Sequence, residues 1–336
     1  MDADEVTRRL GLGEDARTWL AQAAELPSAG GPVLPPPSGA RRALAPLGLE
    51  AADEDELVAL WPDGSWPAEL MWVVERMYAR LAADLADDLA EWREWPVLVH
   101  AEDARVRCAM PVALAAAVPL VLAHHARRGV PASVSAATLA DTGRHMAQTR
   151  AMFGRIGLET ATWTALHFRG GLYELGRLQY EPDRIRDVDE MRWYGREQAA
   201  AMGAEFAWGA PALCLHIPAD GPLEPARVQR SLARARGFFA ACFGADYPVA
   251  VCSSWLLDPQ LAEYLPETSN ILAFQRRFTL VEGDAPGDAD VFRFVFGLPD
   301  VDLDRAPRRT RLEKAAVEHL RAGHHWQVRT GWLRLP

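Results

Sequence analysis

Pro211-Ala-Leu-Cys-Leu-His216-Ile-Pro218 and Pro248-Val-Ala-Val-Cys252-Ser-Ser254-Trp255 are two short apolar runs of the same design. Each is rich in β-favouring residues and closed by proline or turn residues, the pattern of a strand buried on both faces. Between them, Glu224-Pro-Ala-Arg-Val-Gln-Arg-Ser-Leu-Ala-Arg-Ala-Arg-Gly-Phe-Phe239 places Val228, Leu232, Ala235 and Phe239 at helical spacing. Pro225 suits the first turn of that helix. Strand, helix and strand make a βαβ unit, which demands a parallel pair joined by a right-handed crossover.

Outward from this unit, Trp163-Thr-Ala-Leu-His167-Phe-Arg169 and Leu172-Tyr-Glu-Leu-Gly176-Arg-Leu-Gln179-Tyr180-Glu181 flank Gly170-Gly171 and read as a hairpin. After the unit a short helix is expected over Pro259–Leu265. Strands are then expected over Ile271–Leu280 and Asp290–Phe296, and a last edge strand over Trp326–Arg334. The predicted fold class is α/β (α+β), a mixed sheet with a mostly helical N-terminal region.

Two phrases carry a resemblance. Gly170-Gly-Leu-Tyr-Glu-Leu-Gly-Arg-Leu-Gln-Tyr-Glu181 is one; the other runs Ser254-Trp-Leu-Leu-Asp-Pro259, Leu265-Pro-Glu-Thr-Ser-Asn270-Ile-Leu272 and Phe274-Gln-Arg-Arg-Phe278. The chain resembles a bacterial acyltransferase-domain family with an N-acyltransferase-type N-terminal domain and a GNAT-like C-terminal domain. The resemblance covers most of residues 130–330 and implies domains over 1–160 and 161–336. Alternatively the GNAT-like sheet begins near 96, where Pro96-Val-Leu-Val-His100 reads as an edge strand ahead of two helices near 111–128 and 134–153.

Further upstream, residues 1–26 read as one or two short helices and Pro27–Gly39 as a connector. Asp53–Leu57 opens a short helix with acids in its first turn. Pro67–Trp92 reads as a long helix striped by Leu70, Val74, Met77, Leu81, Leu85 and Leu89. The apolar run Cys108–Ala123 holds two prolines and is short for a membrane span, so it predicts a buried helix.

Composition narrows the function. A formal charge of −10 argues against nucleic acid or an anionic membrane as partner. Lys314 is the single lysine, in a charged helix near 309–322 that suits neither a pyridoxal-phosphate Schiff base nor a phosphate loop. Gly11-Leu-Gly-Glu-Asp-Ala16 has no strand before it, so no NAD is expected. Cys108, Cys214, Cys242 and Cys252 form no close pair, and the start is acidic, which together predict a reduced, cytoplasmic protein. The doublets His124-His125 and His324-His325 lack familiar ligand spacing, so no metal is expected.

The resemblance implies that the two central strands splay and take the pantetheine of an acyl-CoA between them; a loop without the phosphate pattern leaves an acyl carrier protein, whose pantetheine carries no pyrophosphate, as another donor. Ile217 and Gly221, with Arg227 and Arg230, would then hold the donor. The loop Pro218–Glu224 departs from the glycine-rich phosphate pattern: it has one glycine, two acids and prolines that remove donors. Alternation puts Cys214 and His216 on one strand face. His216 is either a general base for an amine or a buried histidine bonded to a carbonyl. The resemblance makes Tyr264 the acid for the departing thiolate. Ser254 would orient substrate; Gln179 and Glu181 share one strand face toward the substrate, where Glu181 would bind its ammonium. Asp141, Arg144, His145 and Gln148 share one helical face that either lines the same cleft or is exposed. The expected function is acyl transfer from a thioester to an amine. The alternative is an inactive scaffold of the same fold that binds a metabolite or a protein partner.

Overall fold

A computed structural model describes all residues except 28–29, 87–92 and 188–190 and divides the chain into two units, Met1–Tyr173 and Glu174–Pro336. The first unit is helical. Its centre is the helix Ala109–Arg127, whose residues from Ala109 to Val118 are all buried. A helix apolar on every side must be covered on every side. The stretch Ala104–Arg127 is apolar enough to cross a membrane, but it lies mostly buried, as the sequence predicts. Helices Ala3–Leu10, Glu14–Ala24, Ala68–Ala86 and Ala161–Phe168 contribute to the same core. Leu70, Val74, Met77, Leu81 and Leu85 are buried along one helix as expected, while Leu89 and Trp92 lie outside the described residues. Gly143, in helix Ala132–Phe153, lets the chain at Gly48 pass against it: a Cβ there would stand 1.9 Å from Gly48 O.

Two expected strands are absent from this unit. Residues 163–168 are part of the helix Ala161–Phe168, which Arg169 caps and Gly170 follows in a left-handed conformation (φ 73°). Six of its eight residues are buried, and such enclosure favours a helix whose backbone bonds close internally. Residues 96–100 form no strand, so the sheet does not reach back to 96. Just before them, Trp95 N donates to Thr162 Oγ1 at 2.8 Å and its ring packs on Trp19, a side-chain anchorage in place of a ladder.

The second unit carries the sheet. Its strands are β1 (Tyr173–Glu174, at the border), β2 (Gln179–Arg184), β3 (Pro211–His216), β4 (Val249–Ser254), β5 (Thr279–Leu280), β6 (Ala285–Pro286) and β7 (Gln327–Arg334). Their order is β1-β2-β3-β4-β7-β5, with β6 on β7. The β3/β4 pair is parallel and its neighbours β2 and β7 run antiparallel to it, giving the expected mixed sheet. The crossover helix Pro225–Phe243 buries Val228, Leu232, Ala235 and Phe239, the stripe read from the sequence.

Three expectations are corrected here. Ile271–Leu280 is helical over Asn270–Gln275, where Ser269 Oγ caps Ile271 N, and only Thr279–Leu280 is strand. Asp290–Phe296 is helical too, α over Asp288–Val291 and π over Phe292–Phe296, until Gly297 at φ 67° stops it. The last strand is not an edge, since β7 pairs with β4 on one side and β5 on the other.

Candidate active site

The β3/β4 pair decides where a ligand can enter. Both strands have six residues, and each is matched along its whole length by its antiparallel neighbour. Against each other they pair only at Leu213↔Ala250 and Cys214↔Val251. Past those positions the parallel ladder stops, so Leu215–His216 and Cys252–Ser254 are not paired with one another. Backbone groups facing such an opening need partners, and an extended amide-bearing molecule can supply them.

His216 stands at the end of β3 beside this opening. Gln179 is its register partner on β2, and Glu181 is the partner of Cys214. These four side chains share one face, the parity read from the sequence. Glu181 Oε2 lies 3.1 Å from His216 Nε2, with both side chains half-buried. A carboxylate on one imidazole nitrogen fixes the ring and stabilises the proton it takes up. Glu181, expected from the sequence to bind a substrate ammonium, makes its contact here with the histidine. Gln179 is buried and its Nε2 donates to Glu174 Oε2 at 3.3 Å. Cys214 and Cys252 are buried, free thiols, and burial pushes Cys252 up to about 12, so neither is a ready nucleophile.

Ser254 closes β4, and its Oγ accepts from Leu256 N at 3.1 Å, capping the turn that follows. Tyr264 sits farther along, after the helical turn Pro259–Glu263. Its hydroxyl is 3.1 Å from His319 Nδ1, and its ring packs against Trp326. Burial raises its pKa, with Glu263 and Glu318 adding to the effect. Ile217 is half-buried just past β3. Gly221 has φ 130°, a conformation other residues resist, and its carbonyl is taken by Arg177 Nη2 at 2.7 Å. Arg227 and Arg230 line a cleft with Gly176, Arg177 and Arg234. Arg177 escaped the sequence reading, because nothing local predicts contact with a loop some forty residues later.

Asp141 and Arg144 form a different kind of site, inside the first unit. Asp141 is buried beneath His167 (2.8 Å), His145 (3.2 Å) and Arg144. Burial alone would raise its carboxyl, but His167 and His145 hold it well below the usual carboxylate range. His145 Nδ1 is also 2.9 Å from Thr160 Oγ1. The network joins helix Ala132–Phe153 to helix Ala161–Phe168, and its carboxylate is spent on that task. Asp141 and Arg144, expected from the sequence at the substrate, are paired with one another in this network. No cluster of metal-ligating side chains occurs among the described residues.

Residues 39–170 match the N-acyltransferase N-terminal domain, and residues 172–333 match the GNAT-like C-terminal domain. Solved structures agree over the full length. One is an acyltransferase in complex with decanoyl-CoA and teicoplanin, 37% identical, with 100% of each chain covered and a TM-score of 0.87. A second, in complex with CoA and 10C-teicoplanin, gives the same identity, coverage and TM-score. A third, with decanoyl-CoA, is 36% identical over 100% of both chains at a TM-score of 0.88. No curated protein matches the chain.

Proposed function

The chain belongs to the acyltransferases that join an N-acyltransferase N-terminal domain to a GNAT-like C-terminal domain, and we propose that it moves an acyl group from acyl-CoA to an amine. The observation that carries this reading is the interrupted β3/β4 ladder, with a carboxylate-backed histidine at its open end. An inactive scaffold has no need of that pairing. The neighbours' complexes support acyl-CoA as donor and a teicoplanin-like, amine-bearing molecule as acceptor; nothing in them supports an acyl carrier protein. Four free cysteines support a cytoplasmic setting.

In the proposed reaction the thioester carbonyl lies at the opening between β3 and β4. His216 takes the proton from the acceptor nitrogen as that nitrogen attacks the carbonyl carbon, and Glu181 stabilises the imidazolium. The tetrahedral intermediate collapses as the C–S bond breaks, leaving an amide and a thiolate. Tyr264, kept protonated by its raised pKa, gives the thiolate a proton. Ser254 shapes the turn at the end of β4 and so the wall of the opening.

The test uses the full chain with acetyl-, octanoyl- and decanoyl-CoA, each against teicoplanin-type and simple amine acceptors. Free thiol and product mass are followed together. Acylated amine formed in step with thiol release is the result expected. No acylated product from any donor and acceptor pair would overturn the reading.

A further inference from the structure

Three ladders fix which way each side chain of β4 faces. Residues paired across a sheet put their side chains on the same face, and successive residues of one strand alternate. Glu181 pairs with Cys214, Cys214 with Val251 and Val251 with Trp332, so these four face one way. His216 and Ser253, each two residues on, face that way too, and so does Thr330, the partner of Ser253 on β7. Counted on at the same register, Ser253 falls opposite His216 across the unpaired ends of β3 and β4. Of the β4 residues on this face, Val249, Val251 and Ser253, only Ser253 is polar. Ser254 faces the other way, and its Oγ accepts from Leu256 N.

Ser253 is half-buried, and its Oγ lies 2.9 Å from Thr330 Oγ1. Thr330 is buried, and its Oγ1 accepts from Arg192 N at 2.9 Å. A hydroxyl has one hydrogen to give and two lone pairs. With the Arg192 N–H on one lone pair, Thr330 has its hydrogen to give to Ser253 Oγ. Ser253 then keeps its own hydrogen for a group in the opening. Hydrogen bonds in such a row polarise one another and strengthen the last donor.

We infer that Ser253 donates a hydrogen bond to the thioester oxygen as that oxygen becomes negative, with Thr330 donating to Ser253. The inference rests on the acyl-CoA reading above and adds the group that meets the oxygen's charge. When the acceptor nitrogen attacks, the C=O π electrons move onto oxygen, and the Ser253 O–H meets them without giving up its proton. Breaking of the C–S bond restores the carbonyl. A donor already in place costs no reorganisation at that moment, so its effect falls on kcat. Two side chains on one face thus divide the work: His216 takes the proton from nitrogen, and Ser253 holds the oxygen. Thr330 is a positioning residue that acts through Ser253.

The experiment compares Ser253→Ala, Ser253→Thr, Thr330→Val and Thr330→Ser in the full chain with octanoyl-CoA and an amine acceptor. Ser253→Ala should lower kcat by about a hundredfold and leave both KM values within about threefold, the pattern of an interaction made in the transition state. Ser253→Thr keeps a hydroxyl and should recover to within about tenfold of the unmodified rate. Thr330→Val should cost about tenfold alone and nothing further in the Ser253→Ala background, because the two act as one unit. Thr330→Ser, which keeps the hydroxyl, should stay near the unmodified rate. A second readout needs no turnover: octanoyl-CoA labelled with carbon-13 at the carbonyl, bound without acceptor. Its infrared carbonyl band should lie at lower wavenumber in the unmodified chain than in Ser253→Ala, whose side chain cannot donate. A raised KM for the amine at unchanged kcat, additive losses from Ser253→Ala and Thr330→Val, or identical bands would each overturn the inference. Band and rate keep the two readings apart. A chain whose band responds to Ser253 but which acylates no amine refutes acyl transfer alone. Normal acylation by Ser253→Ala refutes the role of Ser253 alone, and octanoyl-CoA that does not bind removes both.

Discussion

His216 Nε2 lies 3.1 Å from Glu181 Oε2, across one antiparallel strand pair and at the end of the strand where the parallel ladder stops. The pair predicts two graded losses. His216→Gln keeps a polar side chain of similar reach but cannot take a proton, so kcat should fall by about two to four orders of magnitude. Glu181→Gln leaves the imidazole in place without its counter-charge and should cost less. Both variants should keep a Tm near that of the unmodified protein, since the two groups are half-buried and wetted. A His216→Gln protein with lowered Tm and near-normal turnover in its folded fraction would remove this histidine from the chemistry.

Tyr264 makes a separate prediction. Its hydroxyl faces His319 Nδ1, and its raised pKa keeps it protonated. Tyr264→Phe should lose about 1 kcal/mol of stability with that hydrogen bond. If the phenol also protonates the thiolate, the variant slows with CoA thioesters and recovers with aryl thioesters, whose thiolates leave without a proton. An equal loss with both leaving groups would confine Tyr264 to packing.

How far the sequence reads ahead is set by what is local. The βαβ unit is legible because its strands are bounded by proline and its helix shows one apolar stripe. Parity puts His216 and Cys214 on one face of β3, and Gln179 and Glu181 on one face of β2. Parity does not say which residues of two strands stand opposite one another. The Glu181–His216 pair therefore appears only with the register. The segments 163–169, 271–280 and 290–296, which read as strands, are rich in aromatic and β-branched residues that suit a strand or a buried helix alike. One local signal points to the helix. Ser269 ahead of Asn270 is a strong N-cap residue, and it caps that helix. Arg177 carries no comparable signal, because its partners are backbone carbonyls brought to it by the fold.

Asp84 and Arg169 test the interior of the first unit. Arg169 Nε is 2.5 Å from Asp84 Oδ2, Arg80 also reaches this carboxylate, and both Asp84 and Arg169 are buried. Burial lowers the Arg169 pKa, and Asp84 opposes that shift. Asp84→Ala would strand a buried guanidinium and should destabilise the protein by about 3–5 kcal/mol in chemical denaturation. Replacing both partners, Asp84→Leu with Arg169→Met, should recover part of that loss, because the buried Arg169 guanidinium goes with the carboxylate and Arg80 alone is left without this partner. A double variant as unstable as the single one would show that the pair's worth lies in other interactions.

His125 gives the pH dependence. It is buried at the end of the central helix, with Nδ1 2.9 Å from Ser135 Oγ. Burial, helped by the neighbouring His124, lowers its pKa to about 4. An unfolded histidine titrates near 6.5, so between those values the unfolded chain binds the extra proton. Its contribution is therefore fully present above about pH 6.5, fades as the pH falls and is gone by about pH 4, below which this group adds no further slope. The span corresponds to about 3 kcal/mol. His124, lowered by burial and Arg127, acts in the same direction. Denaturation of the unmodified chain and of His125→Gln at pH 7, 6, 5 and 4 isolates the effect, since the carboxylates titrate in both. The stability gap between the two proteins should shrink by most of that amount from pH 7 to pH 4. A gap independent of pH would mean that His125 is free to take up its proton in the folded protein.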